Sequence, residues 1–170
     1  MASAKRVRPP GPSAQPTSRV RERQAEYGPI GHPGIRYVET SALLAAFLEA
    51  DAAARQAIRG AGRLITSALT HAEAARAIQR ARTARRLSAS QATLLVRGLQ
   101  VFAERCETVA VGREVLARVG QAFPVEPLRT LDAIHLATVE LIGVAPASVV
   151  VVTRDSRVRE NATAMGWRVE

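Results

Sequence analysis

The sequence predicts an α/β fold, a parallel sheet covered by helices on both faces. Three observations predict it. Short β-branched stretches alternate with single helices or helix pairs along the chain. Val149–Thr153 is an unbroken β-branched run, as expected for a parallel strand covered on both faces. The 170 residues are 47% apolar, enough for one domain with an ordinary core.

The elements follow in order. Residues 1–34 contain six of the nine prolines and little that forms a core, so a disordered, basic, Pro-rich N-terminal tail is expected there. Residues 35–170 are expected to form the folded domain. Ile35–Val38 reads as a strand and Ser41–Ala50 as a helix with Ser41 near its N-cap. A short helix over 51–59 starts at Asp51 and stops at Gly60. Leu64–Thr66 reads as a strand, and Ser67 caps a long helix over 68–85. Ser88 or Ser90 opens the next helix, which runs to Arg105. Thr108–Val111 reads as a strand and Arg113–Gln121 as a short helix. Pro127 suits the first turn of an apolar helix reaching Ile142. The strand Ser148–Thr153 leads into a helix over Asp155–Met165, which Gly166 ends, and Trp167–Val169 is a last strand.

Composition excludes several classes. No run of 18 apolar residues exists, so no membrane span is expected. No apolar segment follows the basic N-terminus, so it does not read as a secretory signal. Cys106 is the only cysteine, which excludes an internal disulfide and argues against a Cys/His zinc site. A cytoplasmic location is the expectation. The net charge of +9 suits a polyanionic partner, but residues 1–34 contribute +4 of it. Nearly all the basic residues are Arg, a bias that also fits codon composition.

In parallel sheets the ligand site lies beyond the carboxyl ends of the strands. Four acids fall there. Glu39 directly follows the first strand; the alternative is a helix-start acid favoured by the dipole. Glu73 lies early in the long helix on a partly apolar stripe with Leu69 and Ala77; the alternative is a rim acid paired with Arg76 or Arg80. Asp132 sits in Leu131-Asp132-Ala133-Ile134-His135-Leu136-Ala137, where Asp is a poor helix residue with apolar neighbours; the alternative is a structural acid satisfied by a neighbouring cap or Arg. Asp155 follows the β-branched strand and has an N-cap as its alternative. Thr153 is placed to orient a carboxylate, and Ser41 stands beside Glu39 as a second supporting hydroxyl. His135, one turn from Asp132, reads as a core residue or as a group behind the acids. Carboxylates crowded together need a counter-charge, which a hard divalent cation such as Mg²⁺ supplies. The chemistry this points to is phosphodiester hydrolysis. No Ser–His–Asp or Cys–His set competes. A phosphoacceptor receiver domain would need an Asp after its middle strand, where Gly112 and Arg113 stand instead.

Four motifs, in order, resemble the PIN-domain family, in particular the VapC-type ribonuclease toxins of toxin–antitoxin pairs. They are Glu39-Thr40-Ser41-Ala42-Leu43, Glu73 in the helix after Ile65-Thr66-Ser67, Leu131-Asp132-Ala133-Ile134-His135-Leu136-Ala137, and Val151-Val152-Thr153-Arg154-Asp155. The resemblance spans about Ile35 to Glu170. It implies a three-layer α/β/α sandwich around a central parallel sheet of four to five strands. It also implies Mg²⁺ or Mn²⁺ dependence, cleavage of single-stranded or structured RNA, a homodimer, and inhibition by a cognate antitoxin. Glu39 and Asp132 would then be the principal metal ligands, with Glu73 and Asp155 completing the acidic pocket. One departure stands out. The first acid of the family is usually Asp, and Glu39 extends about 1.5 Å further. That departure motivates an alternative: a catalytically weakened PIN domain serving as an RNA- or protein-binding regulatory module.

Overall fold

The computed structural model describes residues 34–170; the expected N-terminal tail lies, except for Gly34, outside the described residues. The strands are β1 (Ile35–Val38), β2 (Arg63–Ser67), β3 (Cys106–Val109), β4 (Val149–Val152) and β5 (Arg168–Val169). The helices are α1 (Thr40–Leu48), α2 (Ala52–Arg59), α3 (Ala68–Thr83), α4 (Ala89–Arg105), α5 (Arg113–Val119), α6 (Thr130–Leu141) and α7 (Ser156–Ala164), with a 3₁₀ turn at Pro146–Ser148 before β4.

All five strands are parallel, in the order β3-β2-β1-β4-β5. The chain therefore winds outward from β1 through β2 to β3, then returns to the other side of β1 for β4 and β5. This reversal makes a crevice beyond the carboxyl ends of β1 and β4, the position at which doubly wound sheets bind ligands.

Side-chain alternation along the strands divides the core into two layers. On one face Tyr37, Ile65, Val149 and Val151 pack with α5, α6 and α7 through Val115, Leu136, Ala137 and Val158. On the other, Val38 and Leu64 pack with α1, α2 and α4 through Leu43, Ile58 and Phe102. Val152 joins Ala42 and Ala57 on that second side. The result is the expected three-layer sandwich with five strands.

Several boundaries are set by caps. Asp51 caps α2 through a bond from the Ala54 N–H, and Ser88 opens α4 in a reciprocal capping box with Gln91. Ser67 caps α3. The cap of α1 is Glu39, not Ser41. Two expectations shift further. The third strand begins at Cys106 and ends at Val109, earlier than the expected Thr108–Val111. It follows α4 without a loop and takes its register from β2, with Leu64 opposite Cys106. As an edge strand it is half exposed and carries Glu107, so its hydropathy does not mark it. Helix α6 starts at Thr130, not near Pro127. The preceding backbone donors are taken by side chains: Glu126 accepts from the N–H groups of Phe123 and Leu128, and Asn161 from that of Val125.

Candidate metal centre

The crevice collects groups from two strand–helix junctions and two helices. Glu39 follows β1 and caps α1, Glu73 lies in α3, Asp132 in the first turn of α6, and Asp155 caps α7 beyond β4.

Glu39 is buried, with 5% of its surface exposed. Its Oε1 accepts from the Ser41 backbone N–H at 3.0 Å, and Oε2 accepts from the Ser41 hydroxyl and, at 2.8 Å, from Thr153 Oγ1. Ser41 Oγ in turn accepts from the N–H groups of Arg154 and Asp155 at 2.7 and 3.0 Å. One hydroxyl thus ties the β1–α1 junction to the β4–α7 junction, and both predicted supporting residues touch Glu39.

Glu73 is half-buried. Its Oε2 accepts from Thr40 Oγ1 at 2.5 Å and from His135 Nε2 at 3.0 Å, while no hydrogen bond among the described residues engages Oε1. Burial alone would raise its pKa, but the bonds from His135 and Thr40 outweigh that and lower it. Its partner is therefore His135, with Arg80 as a weaker charge neighbour, and not a surface ion pair.

Asp132 behaves oppositely. Burial raises its pKa, and the neighbouring charges of Asp155 and Glu39 add to the rise, against Arg129 and Arg157. Its Oδ2 is buried and has no hydrogen-bond partner among the described residues. Because α6 starts at Thr130, Asp132 lies in a first turn, where the dipole accounts for part of its presence. The orphaned oxygen it does not account for. Asp155 fills its alternative role, since Oδ1 accepts from the N–H groups of Arg157 and Val158 at 2.8 and 3.2 Å. It also faces Asp132 as that residue's strongest like charge.

Glu39, Glu73 and His135 offer atoms that all lie within 4.8 Å of one another. Asp132 and Asp155 are outside that tight group: the charge of Glu39 acts on Asp132, and the Asp155 N–H shares with Glu39 the hydroxyl of Ser41. His135 is 2% exposed and belongs to the core, yet it also touches Glu73. Its Nδ1 lies 2.9 Å from the Tyr37 hydroxyl, which burial, and then Glu39, keep protonated by raising its pKa well above the usual value. Sequence reasoning does not single out Tyr37 or Thr40. Tyr37 carries a signal all the same, standing two residues before Glu39 on the same strand face.

The donor set suits a hard cation. It combines a desolvated carboxylate with an oxygen that has no hydrogen-bond partner among the described residues, a second carboxylate with Oε1 free of hydrogen bonds, and a third whose Oε1 accepts a single bond and keeps a lone pair, while its Oε2 is taken by two hydroxyls.

The PIN domain family matches residues 36–164 of the chain. Ribonuclease VapC35 of Mycobacterium tuberculosis is 39% identical over 137 residues, which cover 78% of this chain and 93% of that protein, with the same figures in strains H37Rv and CDC 1551. Among solved structures, VapBC2 from Rickettsia felis bound to a DNA fragment from its promoter superposes with a TM-score of 0.53 at 11% identity, over 80% of this chain and 97% of that one. VapBC-1 from nontypeable Haemophilus influenzae superposes with a TM-score of 0.52 at 13% identity, over 80% and 96%. At these identities the two structures bear on the fold alone.

Proposed function

This chain belongs to the PIN-domain family, and we propose that it is a metal-dependent endoribonuclease of the VapC type, the toxin of a toxin–antitoxin pair. The observation that carries the reading is the buried Oδ2 of Asp132, without a hydrogen-bond partner among the described residues and set among like charges at the sheet's switch point. A native fold rarely keeps such a group without a ligand to satisfy it.

In this reading Asp132, Glu39 and Glu73 hold Mg²⁺ or Mn²⁺, and Asp155 completes the pocket. When bound, the cation supplies the counter-charge and Lewis acidity that phosphodiester hydrolysis requires. The chain's own residues set the geometry. Ser41 and Thr153 fix the Glu39 carboxylate, and Thr40 and His135 fix that of Glu73. Arg129 and Arg157 stand near Asp132 and Arg80 near Glu73, where their charges suit the phosphates of an RNA strand. The reading includes a homodimer and an antitoxin. The antitoxin is assigned to an apolar groove of about 330 Å³ between α1, α2 and α4, lined by Phe47, Ile58, Leu94 and Phe102. Leu94 and Val101 are 66% and 55% exposed there, and Arg55, Arg59 and Arg105 rim the groove, which suits an amphipathic segment bearing acids.

Induced expression in a bacterial host tests the proposal. Growth arrest with newly cut RNA ends, both abolished by Asp132→Asn, supports it; normal growth with intact RNA contradicts it. One observation favours the weakened-module alternative: both Glu39 oxygens are already engaged by protein donors. Retained RNA binding without cleavage in vitro would select that alternative.

A further inference from the structure

We propose that His135 is a positioning residue for Glu73: with Tyr37 behind it, its Nε2–H holds Oε2 of the carboxylate so that Oε1 is presented to the cation. The inference rests on the metal-site reading above and assigns the buried imidazole a task in it.

The hydrogen bonds decide which ring nitrogen carries the proton. Nε2 lies 3.0 Å from Glu73 Oε2 and 3.1 Å from Thr40 Oγ1. A carboxylate oxygen can only accept, and the Thr40 hydroxyl already donates to that same oxygen at 2.5 Å. Nε2 must therefore carry the hydrogen, shared between the two oxygens. In the neutral ring Nδ1 is then the acceptor, and the Tyr37 hydroxyl, 2.9 Å away, donates to it. Hydroxyl, imidazole and carboxylate form a directed chain with a single consistent tautomer. A nitrogen that donates has no lone pair for a metal, so His135 supports the site and is not itself a ligand. Its role is that of the outer partner that orients a ligating group. Tyr37 reaches the imidazole from β1, two residues before Glu39, so one strand fixes both acids: Glu39 directly and Glu73 through His135.

Calorimetric titration of the metal-free full-length chain with Mn²⁺ tests the inference without reference to cleavage. His135→Leu removes the donor and keeps apolar bulk; it should weaken Mn²⁺ binding about 10–100-fold. His135→Gln places an amide N–H near the Nε2 position and should recover affinity to within about threefold of wild type. Tyr37→Phe, which frees the tautomer, should weaken binding by a smaller factor than His135→Leu. Circular dichroism and thermal unfolding establish that each variant is folded. If His135→Leu does not fold, Tyr37→Phe against wild type decides: a lower affinity supports the inference, and an unchanged one overturns it. Equal affinities for wild type and folded His135→Leu overturn it, as do equal losses for His135→Leu and His135→Gln, which would point to packing. Wild type that binds no Mn²⁺ removes the metal-site reading itself, a result distinct from failure of the His135 variants alone.

Discussion

Thr153 Oγ1 donates a 2.8 Å hydrogen bond to Glu39 Oε2, joining the carboxyl ends of two adjacent parallel strands whose residues are 114 positions apart in sequence. Sheet topology makes this bond possible. β4 pairs with β1 only because the chain crosses back over β1 after β3. The acid of the first strand is therefore held by a hydroxyl of the fourth, and its orientation depends on the whole domain being closed.

Replacing that hydroxyl tests the dependence. Thr153→Val keeps shape and burial but removes the donor to Glu39 and one of two acceptors of the Asp155 N–H. Stability should fall by about 1 kcal/mol. Cleavage should fall about 10–100-fold, since Glu39 loses an orienting partner. Thermal unfolding and a cleavage time course measure the two effects.

Asp132→Asn should raise the stability of the metal-free protein while removing activity. The carboxylate is desolvated beside Asp155 and Glu39, so its charged form is disfavoured. A neutral amide of the same shape relieves that repulsion. Partial exposure limits the gain to about 0.5–1 kcal/mol, or roughly 1–4 °C in the unfolding temperature. Unfolding scans in EDTA should show the rise, and scans in saturating Mn²⁺ should show it reversed, because only the wild-type site gains binding energy.

The Asp51–Arg154 pair carries a pH signature. Hydrogen bonding by Arg154 lowers the Asp51 pKa from 3.8 to about 2. For a depressed carboxylate the stabilisation is fully present above the unfolded pKa and is lost as pH falls through the folded one. The difference in unfolding temperature between wild type and Asp51→Asn should therefore be constant above about pH 5, shrink below about pH 4 and vanish only once pH has fallen through about 2. The pair anchors the segment whose backbone N–H groups reach Ser41, so the variant also loosens the support of Glu39.

The apolar groove gives a separable prediction. Leu94→Glu and Val101→Glu change exposed side chains on α4. Folding and RNA cleavage by the free protein should be unchanged. Affinity for the antitoxin should drop at least about tenfold, the scale expected when a central apolar anchor of an interface is replaced by a charge. A pull-down with the purified small partner, alongside a cleavage assay, separates the two functions.

The fold is largely legible in the sequence because its signals are local. β-branched runs, the caps at Asp51, Ser67 and Ser88, and Gly60 and Gly166 mark their own elements. The start of α6 is not legible, since Pro127 is acceptable in a first turn, whereas Glu126 and Asn161 satisfy that backbone from outside. The four acids are visible because topology puts strand ends at one edge. Their unequal geometry is not. Glu39 turns back onto Ser41, Asp155 spends one oxygen on its cap, and His135 joins Glu73 through long-range bonds that no spacing encodes.

Cleavage of RNA by the purified protein, in Mn²⁺ and in EDTA, with Asp132→Asn in parallel, decides whether these acids form a metal-dependent nuclease site. A metal-dependent site requires cleavage by the wild type in Mn²⁺, none in EDTA, and a loss of at least about a hundredfold in the folded variant, the order expected when a principal site residue is removed. Cleavage that persists in EDTA, or at the wild-type rate in Asp132→Asn, would contradict it.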